Sequence, residues 1–180
     1  GGAGGGLVYN VDELKTVCAR GLQASLVGQV LVEESISGWE ELELEVVRDE
    51  KDNIITVCFI ENIDPIGVHT GDSFCSAPML TISEDVQKKL QEQSYKIVRA
   101  IEVIGGCNCQ FAHDPVSGRI VVIEINPRTS RSSALASKAT GFPIAFVSAL
   151  LACGLTLDEI PCGKYGTLDK YVPDGDYVVI

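Results

Sequence analysis

Between residues 40 and 48 the chain alternates Glu41, Glu43 and Glu45 with Leu42, Leu44 and Val46. Period two is the signature of a strand, here with an apolar face and an acidic face turned to water. The polar run Arg48-Asp49-Glu50-Lys51-Asp52-Asn53 predicts a turn, and the β-branched residues 54–60 predict a returning strand. Helical spacing governs other stretches. Asn10 is placed to cap a helix with Asp12 and Glu13 in its first turn, Leu14, Val17 and Cys18 on one face and Gly21 as its stop. Ser83 opens a second helix, with Glu84 and Asp85 at its positive end, a stripe of Val86, Leu90, Ile97 and Ile101, and Gly105-Gly106 at its end. Residues 107–112 and 119–126 read as a hairpin around Asp114-Pro115-Val116-Ser117-Gly118, and Pro127 ends its second strand. A third helix is predicted over 132–140, stopped by Gly141, and a fourth from Pro143 to Gly154. Residues 29–33 predict a short strand and 61–78 a long loop. The tail from 161 offers no clear element before residues 176–180. Antiparallel hairpins with intervening helices make the fold class α+β.

Length and composition narrow the functions. The 180 residues suit one domain of ordinary size, and 46% hydrophobic content is enough for a packed core. The longest apolar stretch, 142–157, is broken by Pro143, Ser148, Gly154 and Thr156, short of the roughly 18 residues of a membrane span. A net charge of −11 argues against nucleic acid and anionic membranes as partners, though local arginines and a metal still allow a nucleotide. Seven cysteines, an odd number lying mostly in apolar stretches, predict reduced thiols used as small hydrophobes. Cys107 and Cys109 face one way on a strand, but without a second pair they do not predict a zinc site. With no signal or transit segment the expected compartment is the cytoplasm. The opening Gly1-Gly2-Ala3-Gly4-Gly5-Gly6 reads either as a flexible linker or as the second half of a loop over phosphates; no Gly-Lys-Ser/Thr follows, so it is not a Walker loop.

Candidate chemistry concentrates on the hairpin. Glu124 and Asn126 are two apart and project from one face of a strand. The preceding Ile120-Val121-Val122-Ile123 is apolar enough to predict burial, where a carboxylate and an amide are costly unless paired or bound to a ligand. Folding about residues 115–118 sets Gln110 opposite or diagonal to Glu124. Three oxygen donors then converge, a set that selects a hard cation such as Mg²⁺ bridged to phosphates. Arg128 and Arg131 follow at the mouth of the third helix, and with its N-terminus they form an anion site. The simplest reading of Glu41, Glu43 and Glu45 is a solvated face, one of them free to accept ribose hydroxyls. His69 sits among small residues of a loop, His113 is expected to be exposed, and Trp39 to pack.

Two runs then become specific. Val121-Val122-Ile123-Glu124-Ile125-Asn126-Pro127-Arg128 and Ser130-Arg131-Ser132-Ser133-Ala134-Leu135-Ala136-Ser137-Lys138-Ala139-Thr140-Gly141 resemble the large chains of carbamoyl-phosphate synthases. So do Glu45-Val46-Val47-Arg48-Asp49, Glu61-Asn62-Ile63-Asp64 and the loop 67–73. The resemblance extends over nearly the whole chain and weakens after about Pro161.

It implies residues 1–160 as a partial ATP-grasp domain, its C-terminal lobe of antiparallel sheet and flanking helices, and 161–180 as a tail toward a next domain. The first, carboxyphosphate-forming half is the better match. Implied ligands are ATP and Mg²⁺ or Mn²⁺, the metal on Gln110, Glu124 and Asn126. Nucleotide contacts are implied for Gly1, Gly2, Glu34, Ile36, Glu41, Gly67, Val68 and His69, as well as Gln110 and Glu124. Arg128 and Arg131 are implied beside bicarbonate and the transferred phosphate. Bicarbonate and ammonia are the implied substrates, with a glutaminase subunit or domain and a second ATP-grasp half as partners, in pyrimidine or arginine biosynthesis. The family takes two further arginines from upstream sequence, so the segment alone is expected not to turn over. Another ATP-grasp carboxylase, or a nucleotide-binding module without catalysis, are the alternative readings.

Overall fold

The computed structural model describes residues 4–64, 66–68 and 73–180. The chain divides into two compact units, residues 1–36 and 37–180.

In the first unit, α1 (Val11–Ala24) begins where Asn10 accepts the backbone N–H of Glu13 at 2.9 Å. The Glu13 carboxylate in turn accepts from the Tyr9 N–H and the Asn10 amide, so three residues satisfy one another's polar groups. Gly21 does not stop this helix. It lies buried within it, where a Cβ would meet Val30 Cγ1 at 2.9 Å, and the cap is Ser25. Glycine is required there by close approach rather than by a turn. Residues 29–33 form no strand, since no neighbouring segment of the unit offers them a ladder.

The second unit is built on a five-stranded antiparallel sheet in the order β3-β2-β1-β4-β5. Its strands are β1 (Glu40–Arg48), β2 (Ile54–Asn62), β3 (Cys75–Ser76), β4 (Gly105–His113) and β5 (Ile120–Asn126). Leu42, Leu44 and Val46 join Cys107, Cys109 and Phe111 under α2 (Glu84–Ala100), which contributes Leu90 and Val98. On the opposite face Val47, Val57 and Ile60 pack against Ala136 of α3 (Arg131–Thr140) and against Ile144, Val147 and Leu151 of α4 (Ile144–Ala152). No single described helix is long and apolar enough to cross a membrane.

The central place of β1 overturns one expectation. Glu41, Glu43 and Glu45 are only 7%, 3% and 0% exposed. A period-two pattern reveals two chemically different faces, but it does not say that the polar one is wet. Conversely, the apolar run in β5 is not buried: this is the sheet edge, with Val122 and Ile123 exposed. Its register with β4 slips at Ile123, leaving Gln110 opposite Glu124 and Phe111 opposite Val122.

Other boundaries shift for local reasons. α2 ends at Ala100, with Ile101 as an exposed cap and Glu102 in the left-handed region at φ 53°, so Gly105-Gly106 opens β4 instead. Gly106 is held by the Ser148 hydroxyl, which accepts its N–H at 2.9 Å. The 61–78 stretch is not all loop: Glu61 and Asn62 continue β2 and pair with β3. The tail forms a small ladder, β6 (Pro161–Cys162) with β7 (Gly166–Thr167), and Val179 bridges Ala77. Leu168 and Tyr171 enter the core beside Phe142. His113 is buried and its Nδ1 lies 2.7 Å from Glu40, while Trp39 lies under the Arg119 guanidinium.

Leu44 is fully buried at the middle of β1. Leu44→Ala is expected to lower unfolding free energy by about 3 kcal/mol, measured by urea denaturation. A loss below about 1 kcal/mol would contradict this account of the core.

Candidate functional site

β1, β4 and β5 carry a grid of polar side chains on one face of the sheet. Register places Glu43, Gln110 and Glu124 in one row across the three strands, and Glu45, Asn108 and Asn126 in the next. Partners across antiparallel strands project to the same side with Cβ atoms about 5 Å apart, so the amide of Gln110 and the carboxylate of Glu124 share a face. Asn126 donates its amide N–H to Glu124 Oε1 at 2.5 Å. Arg128 donates to Asn126 Oδ1 at 3.3 Å and to the Thr129 carbonyl at 3.3 Å.

The grid is closed on one side by the start of α3. Ser130 caps this helix in a reciprocal box with Ser133, and Ser133 Oγ also donates to Glu45 Oε2 at 2.8 Å. Asn108 Nδ2 reaches Glu43 Oε2 at 2.9 Å, Glu45 Oε1 at 2.9 Å and Ser132 Oγ at 3.1 Å. Asn62 donates to the other oxygen of Glu43 at 3.0 Å and accepts from Ser73. Glu43 and Glu45 thus both have donors, the condition under which burying a carboxylate is tolerable.

A cleft of about 470 Å³ lies over the grid, lined by Gln110, Glu124, Asn126, Arg128 and Arg131 together with Glu43, Asn108, Ser132 and Cys75. All five hairpin and helix-mouth residues singled out by spacing therefore meet in one place. Glu41 is on the same strand, one row beyond Glu43 and on the same face. Gly67, in the left-handed region at φ 101°, and Val68, bridged to Ile66, are not among the cleft-lining residues. Glu34 and Ile36 belong to the first unit. Gly1, Gly2 and His69 lie outside the described residues.

Spacing missed Asn108, Glu43, Glu45 and Ser132. Asn108 stands two before Gln110 on a strand, so the same parity that selected Glu124 and Asn126 also selects it. Glu43 and Glu45 were legible as one face but not as the inner one.

Burial, then the neighbouring Glu43 and Glu124, push the Glu41 carboxyl up to about 7. Glu45 is likewise raised by burial, against the opposing hydrogen bonds of Ser132, Ser133 and Asn108.

The donor set suits a hard cation. Among the described residues no cluster of three or more His, Cys, Asp and Glu is placed to hold a metal, and Cys107 and Cys109 face the core with Phe111. Gln110, Glu124 and Asn126 offer one carboxylate and two amides. Such a set leaves coordination positions for phosphate and water, as Mg²⁺ and Mn²⁺ prefer. The group fits.

Residues 1–160 match the family described as carbamoyl-phosphate synthase L chain, ATP binding domain. The chain is 55% identical over 181 residues to the carbamoyl phosphate synthase large chain of Thermomicrobium roseum, covering all of this chain and 17% of that one. It is 54% identical over 182 residues to the large chain of Pseudarthrobacter chlorophenolicus, covering all of this chain and 16% of the relative. The chain thus spans 16–17% of these relatives' length. Among solved structures it is similar to a biotin carboxylase–β-γ-ATP complex from Campylobacter jejuni, with TM-score 0.74 and 20% identity over 93% of this chain and 38% of that one. A biotin carboxylase domain of a thermophilic 2-oxoglutarate carboxylase bound to bicarbonate gives TM-score 0.69 and 20% identity over 90% of this chain and 35% of the other. At that identity the likeness carries the fold alone, which is α+β and part of an ATP-grasp domain.

The raised Glu41 carboxyl has a measurable consequence. The folded state holds its proton more tightly than the unfolded chain does, so its stabilising contribution is full below about pH 4.5 and is lost as pH rises through about 7. Wild-type melting temperature should fall more between pH 5 and pH 8 than that of Glu41→Gln. Equal pH slopes for the two proteins would contradict the assignment.

Proposed function

The chain belongs to the carbamoyl-phosphate synthase large-chain ATP-binding family, and from that premise we propose that it is the nucleotide- and metal-binding part of the half that makes carboxyphosphate. The observation that carries this reading is the shared face of Gln110, Glu124 and Asn126 beside Arg128 and the start of α3. Under it, Gln110, Glu124 and Asn126 hold Mg²⁺ or Mn²⁺, and Arg128 and Arg131 are the catalytic cations. Glu34, Ile36 and Glu41 serve adenine and ribose; Gly1, Gly2, Gly67, Val68 and His69 are the remaining nucleotide contacts. Residues 1–160 form the functional part, with 161–180 leading to the next domain.

The residues have separable tasks. The Glu124 carboxylate takes a charge-assisted hydrogen bond from Asn126, which fixes both side chains in advance of any ligand. Arg128 braces the Asn126 amide, so a guanidinium and two donors move as one unit. Arg131 brings a second guanidinium to the cleft at the N-terminal end of α3, where backbone N–H groups add to the positive field. Bicarbonate held there would attack the γ-phosphorus of ATP, with ADP leaving and carboxyphosphate formed. Ammonia then displaces phosphate to give carbamate. A bound divalent cation would neutralise phosphate charge. The apolar packing of Leu135 beside the cleft helps to exclude water, which would destroy a labile acyl phosphate.

Partners follow from the same reading: a glutaminase subunit or domain supplying ammonia, and a second ATP-grasp half, working in the cytoplasm in pyrimidine or arginine biosynthesis. The 55% identity to synthase large chains, against 20% to the carboxylases, favours this reaction over biotin carboxylation. Because phosphoryl transfer rests on positioning, and this segment is 17% of its relatives' length, the segment alone does not turn over.

In the full-length protein, Arg131→Ala should lower bicarbonate-dependent ATP hydrolysis by about 100-fold or more, and Glu124→Gln should raise the Mg²⁺ concentration needed for half-maximal rate by about tenfold or more. Steady-state phosphate release measures both. A wild-type rate in the first variant or a wild-type Mg²⁺ requirement in the second would overturn the assignment.

A further inference from the structure

Asn108 is 1% exposed and its two amide atoms are treated very differently. Nδ2 faces two carboxylate oxygens, of Glu43 and Glu45, each at 2.9 Å, while Oδ1 is buried without a hydrogen-bond partner among the described residues. The assignment of nitrogen and oxygen is forced by chemistry. Turning the amide over would set its oxygen 2.9 Å from two further acceptors, with no hydrogen between them. A buried acceptor left unpaired is destabilising, and the chain accepts this cost at a residue in the wall of the cleft that Arg128 and Arg131 line.

Glu45 is fully buried and is not itself among the cleft-lining residues. Its two oxygens are taken by Asn108 and by Ser133. Apolar packing against Cys58, across the register from it, would fill the same space without a desolvation cost. The bonds therefore do something that volume does not.

We infer that the Glu43–Glu45 carboxylate pair is a positioning device for Asn108, holding the amide so that Oδ1 is reserved as an acceptor for the hydrogen of a protonated oxyanion gripped by the two arginines. The inference rests on the proposed function, in which bicarbonate is that oxyanion: its carboxylate end suits the guanidinium groups and its one hydroxyl needs an acceptor. Glu45 acts through Asn108 and not on the reacting atoms. Because a carboxylate can only accept, it admits one amide orientation. A glutamine at the same place both accepts and donates, and admits two.

The experiment uses the full-length protein, with steady-state ATP hydrolysis at varied bicarbonate and at varied MgATP. Glu45→Gln should lower kcat/KM for bicarbonate at least fivefold, while the KM for MgATP stays within twofold and a thermal melt confirms the fold. Glu43→Gln removes the other carboxylate and gives the same readout if Glu45→Gln does not fold. Unchanged bicarbonate kinetics overturn the positioning role, and so does a proportional loss for both substrates, which marks a structural residue. A wild-type protein that binds MgATP but hydrolyses it without regard to bicarbonate overturns the proposed function instead.

Discussion

A carboxylate buried at the centre of a β-sheet sets the terms for everything around it. Glu45 sits on the middle strand with no exposure, and burial raises the energy of its charged form. The fold answers with an amide from the adjoining strand and a hydroxyl from the first turn of α3. Those two bonds tie the sheet to the helix whose mouth carries Arg131, and they orient the asparagine next to the proposed metal ligands. They act together with Glu43 and Ser132, which also hold the Asn108 amide, and with the Ser130–Ser133 box that caps the start of α3.

The opposite faces of the sheet divide the work. Under α2 the side chains are uniformly apolar, with Leu42, Leu44, Cys109 and Phe111 sealed from water. On the other face only one end is apolar, covered by α3 and α4, and the remaining rows hold carboxylates and amides. The rigid side supplies stability, so the polar side can afford unsatisfied groups and crowded acids. That asymmetry is how a strand pattern becomes a binding surface.

Much of this was legible in the sequence, and the failures have physical causes. Helix caps at Asn10 and Ser83, the hairpin turn before Arg119 and the stop at Gly141 depend on local chemistry, and each stands where local chemistry places it. The nearness of Gln110 to Glu124 follows from the turn, but their direct pairing comes from the slip at Ile123, which turn length and parity do not announce. Burial does not follow from parity. Whether an acidic row meets water depends on which helices cover it, and whether an apolar run is inside depends on the strand's rank in the sheet. Hence β1 read as half-wet and is buried, while β5 read as buried and is the edge. Gly21 shows the same limit: a glycine wanted for contact with Val30 looks in sequence like a helix stop.

The central claim is that one face of β4 and β5 gathers a divalent cation. Its most direct test is a crystal structure of the full-length protein with Mn²⁺ and a non-hydrolysable ATP analogue, read at the manganese absorption edge. The account predicts an anomalous peak coordinated by side-chain oxygens of Gln110, Glu124 and Asn126. Manganese ordered on the nucleotide but held by other residues, with those three side chains unchanged, would contradict it.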